Sequence, residues 1–307
     1  MLNTIIDYKD TKWDNLNLLF NINKLINLFD GETPKAFSKI GNSSINRIFR
    51  VDLKYKSIVL KISPYWYNNS LYREKWCYKR IEKLIKVPKV IFYLDSHNKL
   101  LPNHEILGLE FINGKQLKKR DFTDLSINER IASIFKAVHN LSVSGYGFLD
   151  SGMHGKHNKW VDFLLDIENM NTRQYLKYVS KSDITWLIDL LSSIETNGKH
   201  CLLYGDFKED NFILKNNSIF AIDFQNCISG VDLYDIGIGV FNIPFILKNI
   251  NLYIDQISPT VMREVILYSL RHAVTVIINS SASRNVNMLN FSKKRFKELK
   301  RIYLRIS

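Results

Sequence analysis

The sequence predicts an α/β (α+β) protein in two parts: a small antiparallel sheet with one main helix, then a larger, mostly helical part. Three observations carry this. Short runs rich in β-branched and aromatic residues crowd the first third of the chain. Long stretches of helical periodicity take over beyond Asn113. A length of 307 residues with 46% hydrophobic content suits one large domain or two lobes, with enough apolar side chains for a real core.

The elements follow in order. "AFSKIG" and "NRIFRVDL" are β-like runs separated by the small polar turn "GNSS", and "KSIVLKIS" follows after "KYK", which makes an antiparallel meander. In "NSLYREKWCYKRIEKLIK", Leu71, Trp76, Tyr78, Ile81, Leu84 and Ile85 recur at near-helical spacing. "PKVIFYLD" and "EILGLEFING" predict two more strands, the second ending at Gly114. Helical patterns then run over 127–141, 160–178, 184–195 and 259–279. The boundary falls near Asn113, giving parts 1–113 and 114–307.

Bulk properties narrow the function. Cys77, Cys201 and Cys227 are odd in number and widely spaced, so neither a disulfide framework nor a zinc site is suggested and a reducing compartment is the simplest home. The N-terminal stretch has no basic start, carries Asp7 and Asp10, and predicts no secretory signal. "IGIGVFNIPFIL" is too short to span a bilayer. The expectation is a cytoplasmic protein. The formal charge of +13 raises nucleic acid, anionic lipid or an acidic substrate as partners. Scattered surface lysines account for it equally well, and no nucleic-acid-binding module is recognised, so a nucleic-acid partner is not expected.

The informative stretch is "LLYGDFKEDNFIL", which interrupts an apolar run with concentrated polarity. Downstream, "SIFAIDFQNC" repeats the device, an apolar strand ending in Asp223. Asp206, Asn211 and Asp223 stand five and then twelve positions apart. Phosphoryl transfer needs such a set: a carboxylate to orient the attacking hydroxyl, and hard oxygen ligands to hold magnesium against the phosphates.

At these residues the sequence resembles the aminoglycoside phosphotransferase-like kinases, a group that includes choline and other small-molecule kinases with a protein-kinase-like fold. "YGDFKEDN" and "AIDF" resemble the catalytic and metal-binding segments. "IGNSSINRIFRV" is similar to the nucleotide-covering hairpin, "VLKI" to the strand lysine, "REKW" to the start of the first helix, and "LGLEFINGKQL" to the last small-lobe strand and hinge. "KAVHNL" and "GVDLYDIGIGVF" resemble a helix ending in a Val-His pair and a segment whose aspartate braces the catalytic loop.

The resemblance implies a bilobal fold, with a nucleotide-binding lobe at 1–113 that includes an N-terminal helical extension, and a catalytic and acceptor-binding lobe at 114–307. It implies Asp206 as the catalytic carboxylate, Asn211 and Asp223 as metal ligands, Lys61 on the phosphates and Glu74 as its partner. Gly41, Asn42, Ser43, Ser44 and Asn46 would cover the phosphates, and Glu110 and Ile112 would offer backbone groups to adenine. The expected cofactors are ATP and Mg2+, with GTP left open. Asp235 would be buried and structural.

Three positions depart from the family pattern. Tyr204 stands where histidine is usual, Gln225 follows "DF" where Gly or Glu is common, and Lys208 resembles the protein-kinase lysine that contacts the transferred phosphate. No A-P-E motif accompanies it. The expected partner is a small molecule bearing a hydroxyl, bound between the lobes. A sugar, an amino alcohol or an aminoglycoside stays open, as do a protein kinase and a catalytically silent relative. The basic C-terminal stretch "FSKKRFKELKRIYLRIS" places Phe296, Leu299, Tyr303 and Ile306 on one helical face. That helix packs on the large lobe, lines the acceptor cleft, or lies peripherally on a membrane.

Overall fold

The computed structural model describes residues 28–29, 32, 34–40, 46–64, 69–166, 177–196 and 198–306. In chain order the elements are β1 (Ala36–Lys39), β2 (Arg47–Asp52), β3 (Ser57–Ile62), α1 (Ser70–Ile81), β4 (Val90–Leu94), β5 (Ile106–Glu110) and β6 (Lys115–Gln116). There follow α2 (Leu125–Val138), β7 (Tyr146–Leu149), β8 (Gly155–His157), α3 (Trp160–Leu165), α4 (Lys181–Ser192) and β9 (His200–Leu203). The chain continues through β10 (Phe212–Lys215), β11 (Ser218–Ala221), β12 (Ile228–Val231), α5 (Asp232–Asn242), α6 (Pro259–Ala282) and α7 (Val286–Ile306). They divide into two compact units, 1–115 with 213–226, and 116–212 with 227–307. The N-terminal extension predicted by resemblance lies outside the described residues, as does most of 167–178.

The first unit is built on a five-stranded antiparallel sheet of order β1-β2-β3-β5-β4. Alternation along β3 explains its two faces. Ile58, Leu60 and Ile62 point one way and join Val51, Leu53, Ile106 and Phe29 in a buried cluster. Lys61 points the other way, registered between Ile48 and Leu107. Strand β5 ends at Glu110, short of Gly114, because the hydrogen-bonded ladder stops after the Phe111 N–H donates to the Ser57 carbonyl. Within β5, Gly108 lies under the Phe92 ring, where an added Cβ would come within 2.4 Å of a ring carbon. A side chain there would have to push the ring aside.

Helix α1 begins without a side-chain cap from Asn69, which sits at φ 64°. Its first amides are served from the sheet. The Glu105 carboxylate accepts from Leu71 N–H at 3.3 Å and Tyr72 N–H at 3.2 Å, and the Tyr93 hydroxyl donates to it at 2.5 Å. A buried anion at a helix N-terminus satisfies orphan donors and complements the helix dipole.

The second unit contains a four-stranded sheet of order β8-β7-β12-β9 and the longer helices. Helix α6 starts at Ser258, whose hydroxyl accepts from Val261 N–H, followed by Pro259 at the first helical position. Gly237 lets α5 approach α6, since a Cβ there would stand 2.7 Å from that of Tyr268. The buried guanidinium of Arg271 donates to the carbonyls of Phe163 and Leu164 and to the Tyr234 hydroxyl, lying 4.4 Å from the Phe163 ring centre. On α7, Phe296, Leu299 and Tyr303 are buried, Tyr303 meets Trp186 edge to face, and Lys300 pairs with Asp183. The apolar face of the terminal helix is therefore packed within its own unit.

Replacing Glu105 by alanine strands two helix amides and the Tyr93 hydroxyl. It is expected to lower stability by about 2–3 kcal/mol, read as a lower urea midpoint with an unchanged m-value.

Candidate functional site

The predicted site residues fall into two groups, one in each unit. In the first unit, β3 delivers Lys61 and α1 delivers Glu74. The Lys61 ammonium lies 2.7 and 2.9 Å from the two Glu74 oxygens and 3.0 Å from Asp223 Oδ1. Lys61 is 6% exposed and Glu74 fully buried, so these charges answer each other with little help from solvent. Burial disfavours the charged amine, but the Asp223 and Glu74 carboxylates outweigh it and Lys61 is pushed up to about 12. The stability from this charge is fully present below the ordinary lysine value of 10.5 and is lost only as pH rises through about 12. Burial also pushes the Glu74 carboxyl up, against the pull of the lysine beside it.

Asp223 follows β11 in a left-handed conformation, φ 66°, which is uncommon for a non-glycine residue. Its N–H donates to the Tyr78 hydroxyl at 2.9 Å, and the same hydroxyl donates to Glu74 Oε1 at 2.9 Å. The Tyr78 ring meets Phe224 edge to face at 5.5 Å. Asn46 is buried and its side-chain amide donates to Gln225 Oε1. Gly41, Asn42, Ser43 and Ser44 lie outside the described residues. Glu110 closes β5, with its N–H on the Lys89 carbonyl at 2.9 Å, and Ile112 is buried just beyond.

In the second unit, β9 ends in the loop carrying Asp206. Asp235, on the first turn of α5 and fully buried, accepts from Tyr204 N–H at 2.7 Å and Gly205 N–H at 2.8 Å. His139, at the end of α2, stands 3.0 Å from the same carboxylate. Gly205 turns the chain at φ 77°. Beneath the loop, Phe207 is buried and stacks on Phe135 at 4.1 Å. Tyr204, where the family pattern has histidine, is buried against Phe135 and donates to the Asn211 carbonyl at 3.4 Å.

The loop presents three side chains together. Asn211 Nδ2 donates to the Asp206 carbonyl at 2.9 Å and to Asp206 Oδ2 at 3.1 Å. Lys208 Nζ lies 3.1 Å from Asp206 Oδ2. Among the described residues no three His, Cys, Asp or Glu side chains gather into a metal-holding group. Asn211 and, in the other unit, Asp223 each carry hard oxygen of the kind magnesium takes.

Residues 36–249 match the model of the APH phosphotransferase enzyme family. The chain belongs to that family. No curated protein matches this phosphotransferase in sequence. Among solved structures, aminoglycoside phosphotransferase APH(4)-Ia is 16% identical with a TM-score of 0.75, covering 92% of this chain and 98% of that one. A thermostable mutant of it in ternary complex with AMP-PNP and hygromycin B is 15% identical, TM-score 0.74, with the same coverage. A candidate fructosamine-3-kinase from Haemophilus somnus 129PT is 20% identical, TM-score 0.65, covering 92% of this phosphotransferase and 99% of that chain. The GDP and kanamycin complex of the APH(2″) enzyme is 13% identical, TM-score 0.69, covering 92% and 99%. At these identities the likeness establishes the kinase-like fold.

Sequence reasoning missed two supporting residues. Tyr78 falls among the apolar helix positions, yet it lies four residues after Glu74 and so on the same helix face. His139 ends the helix in the Val-His pair of "KAVHNL", and it is buried there and meets the Asp235 carboxylate, a contact no local pattern shows.

Two expectations follow. Asp235→Asn puts an amide donor where two backbone N–H groups need acceptors. It should cost about 2–3 kcal/mol of stability, measured by urea unfolding. Glu74→Ala leaves Lys61 short of a buried counter-charge and should cost about 3–5 kcal/mol, seen as a fall in the thermal midpoint.

Proposed function

We propose that this phosphotransferase is an ATP- and Mg2+-dependent kinase that moves the γ-phosphoryl group to a hydroxyl of a small molecule. The observation that carries the reading is the Asp206 carboxylate, held by Asn211 and Lys208 on a loop braced by Asp235. Such a carboxylate orients an acceptor hydroxyl and takes its proton as the new O–P bond forms and the bond to the nucleoside diphosphate breaks. The Lys208 ammonium beside it would steady charge on the moving phosphoryl group. Lys61, fixed by Glu74, would bind the phosphates of the nucleotide, with Asn46 and the 41–44 segment covering them and Glu110 and Ile112 meeting the base through their backbone. Asn211 and Asp223 would hold magnesium, which when bound supplies charge neutralisation of the phosphates.

The acceptor is argued from charge. Lys294, Lys297, Arg301 and Arg305 are exposed on α7. A positive field of this kind disfavours a polycation and favours a neutral or anionic sugar-like acceptor. The aminoglycoside reading rests on a different observation, that the similar APH enzymes are seen with hygromycin B and kanamycin. ATP and GTP both remain in view, since those structures hold AMP-PNP and GDP. We place the enzyme in the cytoplasm: its three cysteines are buried and none is in a disulfide, as a reducing compartment allows, and among the described residues no helix is long and apolar enough to cross a membrane.

The test is phosphate transfer from ATP and GTP to a panel of sugars, glycated amines, amino alcohols, aminoglycosides and a generic protein substrate, with Asp206→Asn alongside. The expected result is magnesium-dependent transfer to one small-molecule class, reduced at least about a thousandfold in the variant with nucleotide binding retained. Transfer to protein alone, or nucleotide binding without transfer to any acceptor, would overturn the reading.

A further inference from the structure

Resting on that reading, we infer that the Tyr78 hydroxyl is a positioning group that sets the metal affinity of Asp223 without touching metal or nucleotide. The hydroxyl does two jobs at once. It accepts from Asp223 N–H at 2.9 Å and donates to Glu74 Oε1 at 2.9 Å. It therefore ties the backbone of one site residue to the side chain of another, and Glu74 in turn holds Lys61, which reaches Asp223 Oδ1 at 3.0 Å. The four groups form a closed ring.

The ring has something to restrain. Asp223 occupies a left-handed backbone conformation at φ 66°, which an aspartate tolerates at a cost unless its surroundings fix it. The Asp223 N–H is the group that would turn if the backbone relaxed, and Tyr78 holds it. Tyr78 is itself fully buried, on a helix anchored by Glu105, with its ring against Phe224. A phenol so placed has little freedom, so it transmits the position of α1 to Asp223. Removing the oxygen alone leaves an unsatisfied amide next to the carboxylate and frees the backbone to rotate. A cation site depends on its supporting hydrogen bonds as well as on its ligands.

The experiment is calorimetric binding of ADP with and without Mn2+, used as the magnesium probe, to the wild type, Tyr78→Phe and Asp223→Ala, with no turnover involved. In the wild type the metal tightens ADP; Asp223→Ala sets the floor. Tyr78→Phe is expected to lose about tenfold of that tightening, in line with supporting residues of metal sites, while ADP alone binds as before. Ile81→Val trims a buried side chain of the same helix, leaves the hydroxyl in place and should keep the full metal effect. Equal metal tightening in Tyr78→Phe and wild type overturns the inference, and so does an equal loss in Ile81→Val, which would make the effect general loosening. A wild type that binds no ADP, or binds it indifferently to metal, instead overturns the kinase reading beneath it.

Discussion

A full positive charge stands inside the first unit, and much else there is arranged around it. Lys61 leaves a strand whose other face is packed with isoleucine and leucine, so its ammonium sits in a medium that would expel it were Glu74 and Asp223 not within 3.0 Å. Burial of an ion without partners costs far more than a small fold can supply. The consequences spread outward. Glu74 must be held on a helix of fixed position, which needs that helix anchored at its start, which Glu105 does. Asp223 must present its carboxylate at an awkward backbone angle, which needs its amide secured, which Tyr78 does.

The second unit solves a similar problem differently. Asp235 is as buried as Glu74 but answers backbone amides and an imidazole, with no lysine or arginine among its hydrogen-bond partners. A carboxylate spent on N–H groups fixes a loop's shape, whereas one spent on a lysine fixes a charge. The two units thus use buried carboxylates to different ends: one stores a charge, and the other holds a loop in a fixed shape.

Much of this was legible in the sequence, for identifiable reasons. Period-two alternation in "SIVLKI" separates Lys61 from the core residues on either side of it, and the polarity of "YGDFKEDN" has no place in a core except at a site. Helix ends were legible to within a few residues where capping chemistry was local, as at Ser258 and Pro259. What escaped was non-local. Glu105 serves a helix more than thirty residues earlier, and His139 meets a carboxylate ninety-six residues away. Tyr78 looked apolar because a phenol in a helical stripe packs like phenylalanine, and its oxygen matters only once Asp223 arrives beside it. The strand β5 runs shorter than its apolar run because the ladder ends once the Phe111 N–H has bonded the Ser57 carbonyl, and Ile112 is buried beyond it without strand pairing.

The left-handed turn at Asp223 bears on how mutational data from this chain should be interpreted. Alanine there changes two things together, deleting the carboxylate and forcing a Cβ-bearing residue with no polar side chain into a backbone region that alanine resists. Asparagine keeps the shape and tolerates the same backbone angles, so it alters charge alone; glycine removes the charge but relieves the backbone. A scan in alanine would therefore merge electrostatic and conformational losses into one number, while the asparagine and glycine pair separates them.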